Sequence, residues 1–388
     1  MKENTMILGH LPSPTWNRLR MNEGRTQSLP MADADAAAAS DKMPEGVTTR
    51  TMSAAEAAEY IEKHAPKEEP EKVVAGKAPI YHPQKFATGL GEDFEKHLAA
   101  QKEGEVRLLQ VQEGVQAGEV SIHLNFACGR HAYVQHLIHL QKGAQMTLLM
   151  DCEAGEECAG DEAAAATAGV SVRVILEEDA KLILVRAQLL PETFTHVDDC
   201  GAVLGKNAFF KIVHMELGAG KTFVGTQAEL IGNGAAFENR AGYLSLGDAQ
   251  TDLTVNAVQR GRKTKSTIQY EGVLGGKARK ILRDTIDFRR GSAGSEGDEQ
   301  ENVLLLSPDA ENKSMPVILC EEEDMEGRHG ASIGRLDDEM LFYLTTRGLD
   351  PQAAQRMMVR AKLLAIARHI SNVELYAKIH NFIDNIAV

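Results

Sequence analysis

A small unit recurs along the middle of this 388-residue chain and limits its fold more than any other feature. Apolar residues lead to a polar or glycine residue, an alanine follows, and apolar residues resume. The unit occurs at Gly143-Ala144, Asp179-Ala180, Asn207-Ala208, Gly234-Ala235, Asp248-Ala249 and Lys277-Ala278. The alanines are 36, 28, 27, 14 and 29 residues apart, and most of these gaps lie near multiples of about 14. Between them, Val106-Arg107-Leu108, Val120-Ser121-Ile122-His123-Leu124, Val170-Ser171-Val172-Arg173-Val174 and Leu182-Ile183-Leu184-Val185 alternate or run apolar over strand lengths. A chain that turns after a near-fixed length, with a small residue at each corner, predicts a right-handed parallel β-helix. An antiparallel sandwich would also have short strands but needs no recurring corner alanine. The longest gap coincides with Asp151 to Ala168, rich in Asp, Glu, Gly and Ala, which reads as a solvated acidic excursion from one corner.

The ends read differently. Leu11-Pro12-Ser13-Pro14-Thr15-Trp16, with the only tryptophan, predicts a docked extended segment. Residues 33–45 are small and polar and read as a mobile linker. Ser53 and Glu56 form a capping-box pattern for a helix to about Lys63. Pro66, Pro70 and Pro79 then mark an extended connector, and Glu92 to Lys102 predicts a second helix with Phe94 and Leu98 on one face. Near the carboxyl end, Asp337 is expected to open a helix that packs Leu341, Phe342 and Leu344 inward and ends at Gly348. Asp350-Pro351 supplies an N-cap and first-turn proline for a helix to about Ile370. Ser371 and Glu374 suggest a capping box for a last one. The expected organisation is mainly β: an irregular and helical region over 1–104, a β-helix core over 105–320, and a turn and helical region over 321–388.

The net charge of −14 argues against nucleic-acid or anionic-membrane partners, which are themselves negative. No 18-residue apolar run predicts a membrane span. Five scattered cysteines fit a reduced, cytoplasmic setting better than a disulfide framework. Cys152 and Cys158 match no metal spacing, and Cys320, after Val317-Ile318-Leu319, reads as a packed strand residue. Gly218-Ala219-Gly220-Lys221-Thr222 ends like a phosphate-binding loop, but its first glycine position holds Met215; a solenoid corner explains it. Gly232-Asn233-Gly234 lacks the third glycine of a dinucleotide fingerprint, since Phe237 stands there. His136 and His139 are three apart, hence on opposite faces of a strand.

One constellation stands apart. Gly327-Arg328-His329-Gly330-Ala331-Ser332-Ile333-Gly334 places a lone histidine in what reads as a small-residue turn, ahead of Asp337-Asp338-Glu339. Such an imidazole is approachable and can ligate metal or carry a proton. With Asp324, the string resembles the signature of the SufB/SufD family of iron–sulfur cluster assembly scaffolds, and is closest to its SufD members; Gly327 occupies the usual cysteine position.

The resemblance implies a β-helix scaffold without catalytic activity of its own, working with a SufC-like ATPase and a SufB-like partner. His329 is the candidate metal ligand, with Asp324 and Glu326 beside it in a cluster-assembly site. No cofactor is expected to stay bound to the chain alone; a transient iron–sulfur cluster would form at a partner interface. Arg347, Gly348, Met357 and Met358 fall in the implied ATPase-docking segment. Two rival readings come from other classes. One is a homodimeric β-helix interaction protein without cluster chemistry. The other is a polysaccharide-acting β-helix enzyme, disfavoured by 5% aromatic residues and a single Trp outside the repeat.

Overall fold

The structure, a computed structural model, describes residues 5–14, 21–67, 86–101, 104–155, 158, 164–335 and 338–386. Its body is a parallel β-solenoid, so the architecture expected from the repeat is borne out. Strands alternate between two 9-stranded sheets. Sheet I stacks β6 (Gln116–Phe126), β8 (Gln145–Ala154), β10 (Lys181–Gln188), β12 (Phe209–Glu216), β14 (Ala236–Ser245), β16 (Lys265–Leu274), β18 (Ser295–Leu305) and β20 (Met325–Arg335). Sheet II stacks β5 (Glu105–Val111), β7 (His131–Leu140), β9 (Ala166–Leu176), β11 (Phe194–Leu204), β13 (Lys221–Leu230), β15 (Gln250–Gln259), β17 (Arg279–Phe288) and β19 (Glu311–Cys320).

Each coil therefore carries two strands, and a half-coil accounts for the spacing near 14. Stacked positions in sheet I such as Lys181, Phe209, Ala236 and Lys265 are 28, 27 and 29 residues apart. The corner alanines have a common role. The amides of Ala144, Ala180, Ala208, Ala235, Ala249 and Ala278 each donate to the carbonyl three residues earlier, closing the corner. Five of the six are fully buried, Ala249 being half-buried. A larger side chain there would crowd the lumen.

Strands also form outside residues 105–320. β3 (Ala37–Ser40) and β4 (Val47–Ser53) pair antiparallel with β6 and β5, covering the first edges of both sheets. The segment expected to be a mobile linker is thus partly ordered strand, and Asp33 holds the His131 amide (2.8 Å). Covering an open edge removes a site for unwanted strand pairing. At the other end β20 extends pairing to Arg335.

Helices and the amino-terminal hairpin clothe the outer faces. The hairpin of β1 (Thr5–His10) and β2 (Glu23–Gln27) and the helix α2 (Glu92–Ala99) lie on sheet II, where Leu8, Phe94, Val197 and Phe223 share a core. Gly89 passes so close to Gly225 that a Cβ would strike backbone, and its amide donates to the Cys200 carbonyl (3.1 Å). Leu11 docks against Met315 of β19; Trp16, Pro70 and Pro79 lie outside the described residues. The helix α1 (Ala54–His64) begins at the expected Ser53/Glu56 capping box. On sheet I, α4 (Pro351–Ala367) and α5 (Val373–Asp384) bury Val359, Leu363, Ile366 and Ile379 against Val185, Val213 and Val273.

Asp350 caps α4 as expected, accepting from the Ala353 amide (2.8 Å). The cap of α5 is Asn372, not Ser371, whose hydroxyl donates instead to Glu119 (2.9 Å). Asp337 lies outside the described residues; the helix there, α3 (Asp338–Thr346), buries Leu344 but leaves Phe342 70% exposed, so Phe342 does not pack inward as expected. Among the described residues no helix is long and apolar enough to cross a membrane.

Candidate functional site

His329 does not sit in a turn. It lies in β20, paired in register with Glu299 of β18. The preceding coil supplies a template of backbone donors and acceptors, so a Gly/Ala/Ser run that would turn in isolation is drawn into the ladder. Gly327 faces the lumen: a Cβ there would meet Ile318 and Phe288 at 3.2–3.3 Å. His329, two residues on, takes the same face and is exposed at the mouth of the solenoid.

The other expected site residues do not converge on it. Glu326 is three positions away, on the opposite face, and pairs with Arg328. Asp324 lies before the strand, where its carbonyl accepts from the Gly294 amide (2.6 Å). Cys320 was expected to be packed. It is instead an exposed free thiol at the end of β19, in register with lumen-facing Phe288, and so belongs to the same mouth as His329. In-register stacking, invisible in the sequence, places Cys320 over Phe288 and His329 over Glu299 on the last coil.

Among the described residues β19 and β20 are each paired on one side only. After β20 in the chain, the α3–α4 segment carries exposed apolar side chains: Met340 (44%), Phe342 (70%), Tyr343 (53%) and Met357 (41%). Arg347 lies 5.2 Å over the Tyr343 ring, and Gly348 makes the connecting bend with φ of 95°. Met358 is half-buried against the core beneath α4.

Directly behind the mouth the lumen is polar. Lys280 is fully buried, ion-paired with Glu301, and donates to Ser314 (3.0 Å). Tyr270 donates to Asp284 (3.1 Å) and Tyr243 to Glu301 (3.3 Å). Burial, then the Glu301 charge, push Glu299 up to about 8 despite the opposing pull of Lys280.

A second polar group lies deeper, in the middle coils. Alternation along β10, β11 and β12 puts Arg186, His196, Asp198, Cys200, His214 and Glu216 on the inner face with the core residues Leu184, Phe194, Ala202 and Ile212. Burial raises Asp198, but Arg186 at 2.9 Å outweighs it and holds the carboxyl at about 2. Burial pushes the thiols of Cys152 and Cys200 well above their usual range, so both stay protonated. His136 and His139 lie on opposite faces of β7, as expected. His139 takes Tyr60 (2.7 Å) and Glu177 (2.8 Å) on the outside, while His136 faces inward without a partner.

The cysteines depart from the expected fully reduced set. Cys158 is disulfide-bonded to Cys128, and Cys152 belongs to β8 rather than to the acidic excursion. Gly218–Gly220 and Gly232–Gly234 are corners of the coil, as the repeat suggested.

Residues 124–362 match the family model for the SUF system FeS cluster assembly SufBD core domain. The chain is 24% identical to the iron–sulfur cluster assembly protein SufD of Bacillus subtilis over 176 residues, 45% of this chain and 40% of that one. It is 32% identical to SufD of Escherichia coli over 92 residues, 24% of this chain and 22% of the relative. A SufBD family protein of Pyrococcus horikoshii is 27% identical over 216 residues, 54% of this chain and 46% of its own. The matched segments thus span less than half the length of each of these relatives.

Proposed function

The chain belongs to the SufBD core family of the SUF system, and from that membership we propose that it is a scaffold subunit in iron–sulfur cluster assembly. The observation that carries this reading is unpartnered surface on the last coil and on the helical segment that follows it in the chain. The exposed apolar side chains of α3 and α4 suit an ATPase of the SufC kind. The single-sided strands β19 and β20 suit a second scaffold of the SufB kind, whose strands would continue the two sheets.

In this reading His329 and Cys320 offer an imidazole and a thiol to a site completed by the partner's cysteine ligands, a donor set suited to iron and sulfide. Glu326 and Asp324 serve as strand and corner residues near that site rather than as ligands on its face. ATP hydrolysis in the docked ATPase would pull on α3 and, through it, on α4, which rests on the outer face of sheet I, and so alter the solenoid. The chain itself is the scaffold, not the catalyst.

The test is co-expression with SufB-like and SufC-like proteins from the same host and purification through this chain. The expected result is a complex of all three that assembles a cluster anaerobically. His329→Ala should lower assembly while leaving the complex intact, and Phe342→Lys should release the ATPase alone. Recovery of a homodimer only would overturn the heteromeric reading in favour of self-association through β20. Normal assembly by a His329→Ala, Cys320→Ser double variant would remove the mouth from the chemistry.

A further inference from the structure

The polar group in the middle coils has no role in the reading above, and its geometry is unusual. His196 Nε2 lies 3.7 Å from Glu216 Oε2 and 3.9 Å from Asp198 Oδ2. His214 Nδ1 lies 3.6 Å from Glu216 Oε1 and 3.9 Å from the same Asp198 oxygen. All four side chains are at least 97% buried. Donor groups of His196, Asp198 and Glu216 fall within 4.8 Å of one another. Separations of 3.6–3.9 Å are too long for hydrogen bonds. Both nitrogens of His214, both carboxylate oxygens of Glu216 and Oδ1 of Asp198 have no hydrogen-bond partner. Leaving that many buried polar atoms unpaired is costly, so the arrangement requires something between them.

The tautomer of His196 narrows what that is. Its Nδ1 donates to the Ala168 carbonyl at 3.2 Å, which directs Nε2 at two carboxylates. Those oxygens are answered by a proton on Nε2 or by a cation between the groups, and at 3.7–3.9 Å an Nε2 proton makes no hydrogen bond to either. An imidazole anchored through its other nitrogen to a carbonyl is also how metal-bound histidines are oriented. In a tetrahedral site with metal–ligand distances of about 2.0–2.1 Å, ligand atoms are about 3.3–3.4 Å apart. The four imidazole–carboxylate separations need to contract by only a few tenths of an ångström, while His214, outside the group of three close donors, has to move further to complete the set. Arg186 neutralises one of the two carboxylates, and a dication would answer the other. Two imidazoles with two carboxylates suit ions of the zinc or ferrous class rather than calcium or magnesium.

We propose that His196, Asp198, His214 and Glu216 form a site for one divalent transition-metal ion inside the solenoid, tying β11 of one sheet to β12 of the other. The site is independent of the mouth residues and of the assembly role. The thiols of Cys152 and Cys200 do not belong to the group of close donors.

The full chain is unfolded in chelator, refolded with and without Co2+, passed through a desalting column and analysed for bound cobalt and visible absorption. The wild-type chain is expected to retain one Co2+ per chain, with d–d bands and no sulfur-to-cobalt charge-transfer band. His214→Asn and the near-isosteric Glu216→Gln should each weaken retention at least about tenfold, the minimum seen even for losing an outer-shell partner. Circular dichroism checks that each variant is folded. His329→Ala should retain the ion fully, which separates this site from the mouth. Wild-type chain that refolds with cobalt yet retains none would overturn the proposal and leave the cluster bridged by water. Equal retention by both variants would put the ion elsewhere, and a charge-transfer band lost in Cys200→Ser would make it a thiolate site; either result refutes the assignment.

Discussion

The middle coils and the last coil are made by the same half-coil repeat, yet they treat polar side chains in opposite ways. In the middle, neighbouring coils above and below seal the lumen, so His196, Asp198, His214 and Glu216 are buried to within a few per cent. At the end no further coil follows among the described residues, and His329, with the same inward orientation, stands in solvent. An identical strand position is therefore a costly interior or an accessible ligand according to what stacks on it. Between the two extremes, Lys280, Asp284, Glu299 and Glu301 are interior groups covered by a single terminal coil.

The sharpest way to break this contrast is to remove the compensating charge in the middle. Arg186→Met leaves Asp198 without its ion-pair partner and should destabilise the fold by about 3–5 kcal/mol, read as a fall in the urea midpoint. A loss below about 1 kcal/mol would mean that Asp198 is neutralised by other means.

The single-coil layer is best tested by pH. Glu299 titrates near 8 in the folded chain against an ordinary value of 4.5, so the native state keeps a proton that the unfolded state has released. Between those values the folded chain binds more protons, and stability falls as pH rises through the window, with the loss complete above 8. Glu299→Gln should flatten that slope and stabilise the protein by about 1–3 kcal/mol at pH 8, with no gain at pH 4. A gain of the same size at pH 4 would assign the effect to packing instead.

At the open end the smallest stability effect is expected. Ile333 is 45% exposed on β20, and Ile333→Lys should change unfolding free energy by no more than about 0.5 kcal/mol. The same substitution should weaken capture of the second scaffold subunit by the β20 edge, measured by co-purification. Unchanged capture would move that interface away from the last strand.

Several features of the molecule could be read before any coordinates. The corner alanines fix the coil because a methyl group is what the lumen admits at a turn closed by its own amide. Ser53/Glu56 and Asp350-Pro351 mark true helix starts because capping is local chemistry. The string around His329 carried the family.

Other features required the fold. Ser371 looked like a cap, but a long-range acceptor, Glu119, takes its hydroxyl and leaves the role to Asn372. Phe342 looked like core, but among the described residues nothing covers its side of α3. His196, Asp198, His214 and Glu216 carried no motif: two pairs of residues separated by a corner, with spacings that match no ligand signature. Local sequence determines alternation, corners and caps because those depend on neighbours a few residues away. Which inward-facing side chains meet, and whether they meet in the sealed lumen or at its mouth, depends on coils stacking about 28 residues apart, a distance over which only the tertiary structure decides.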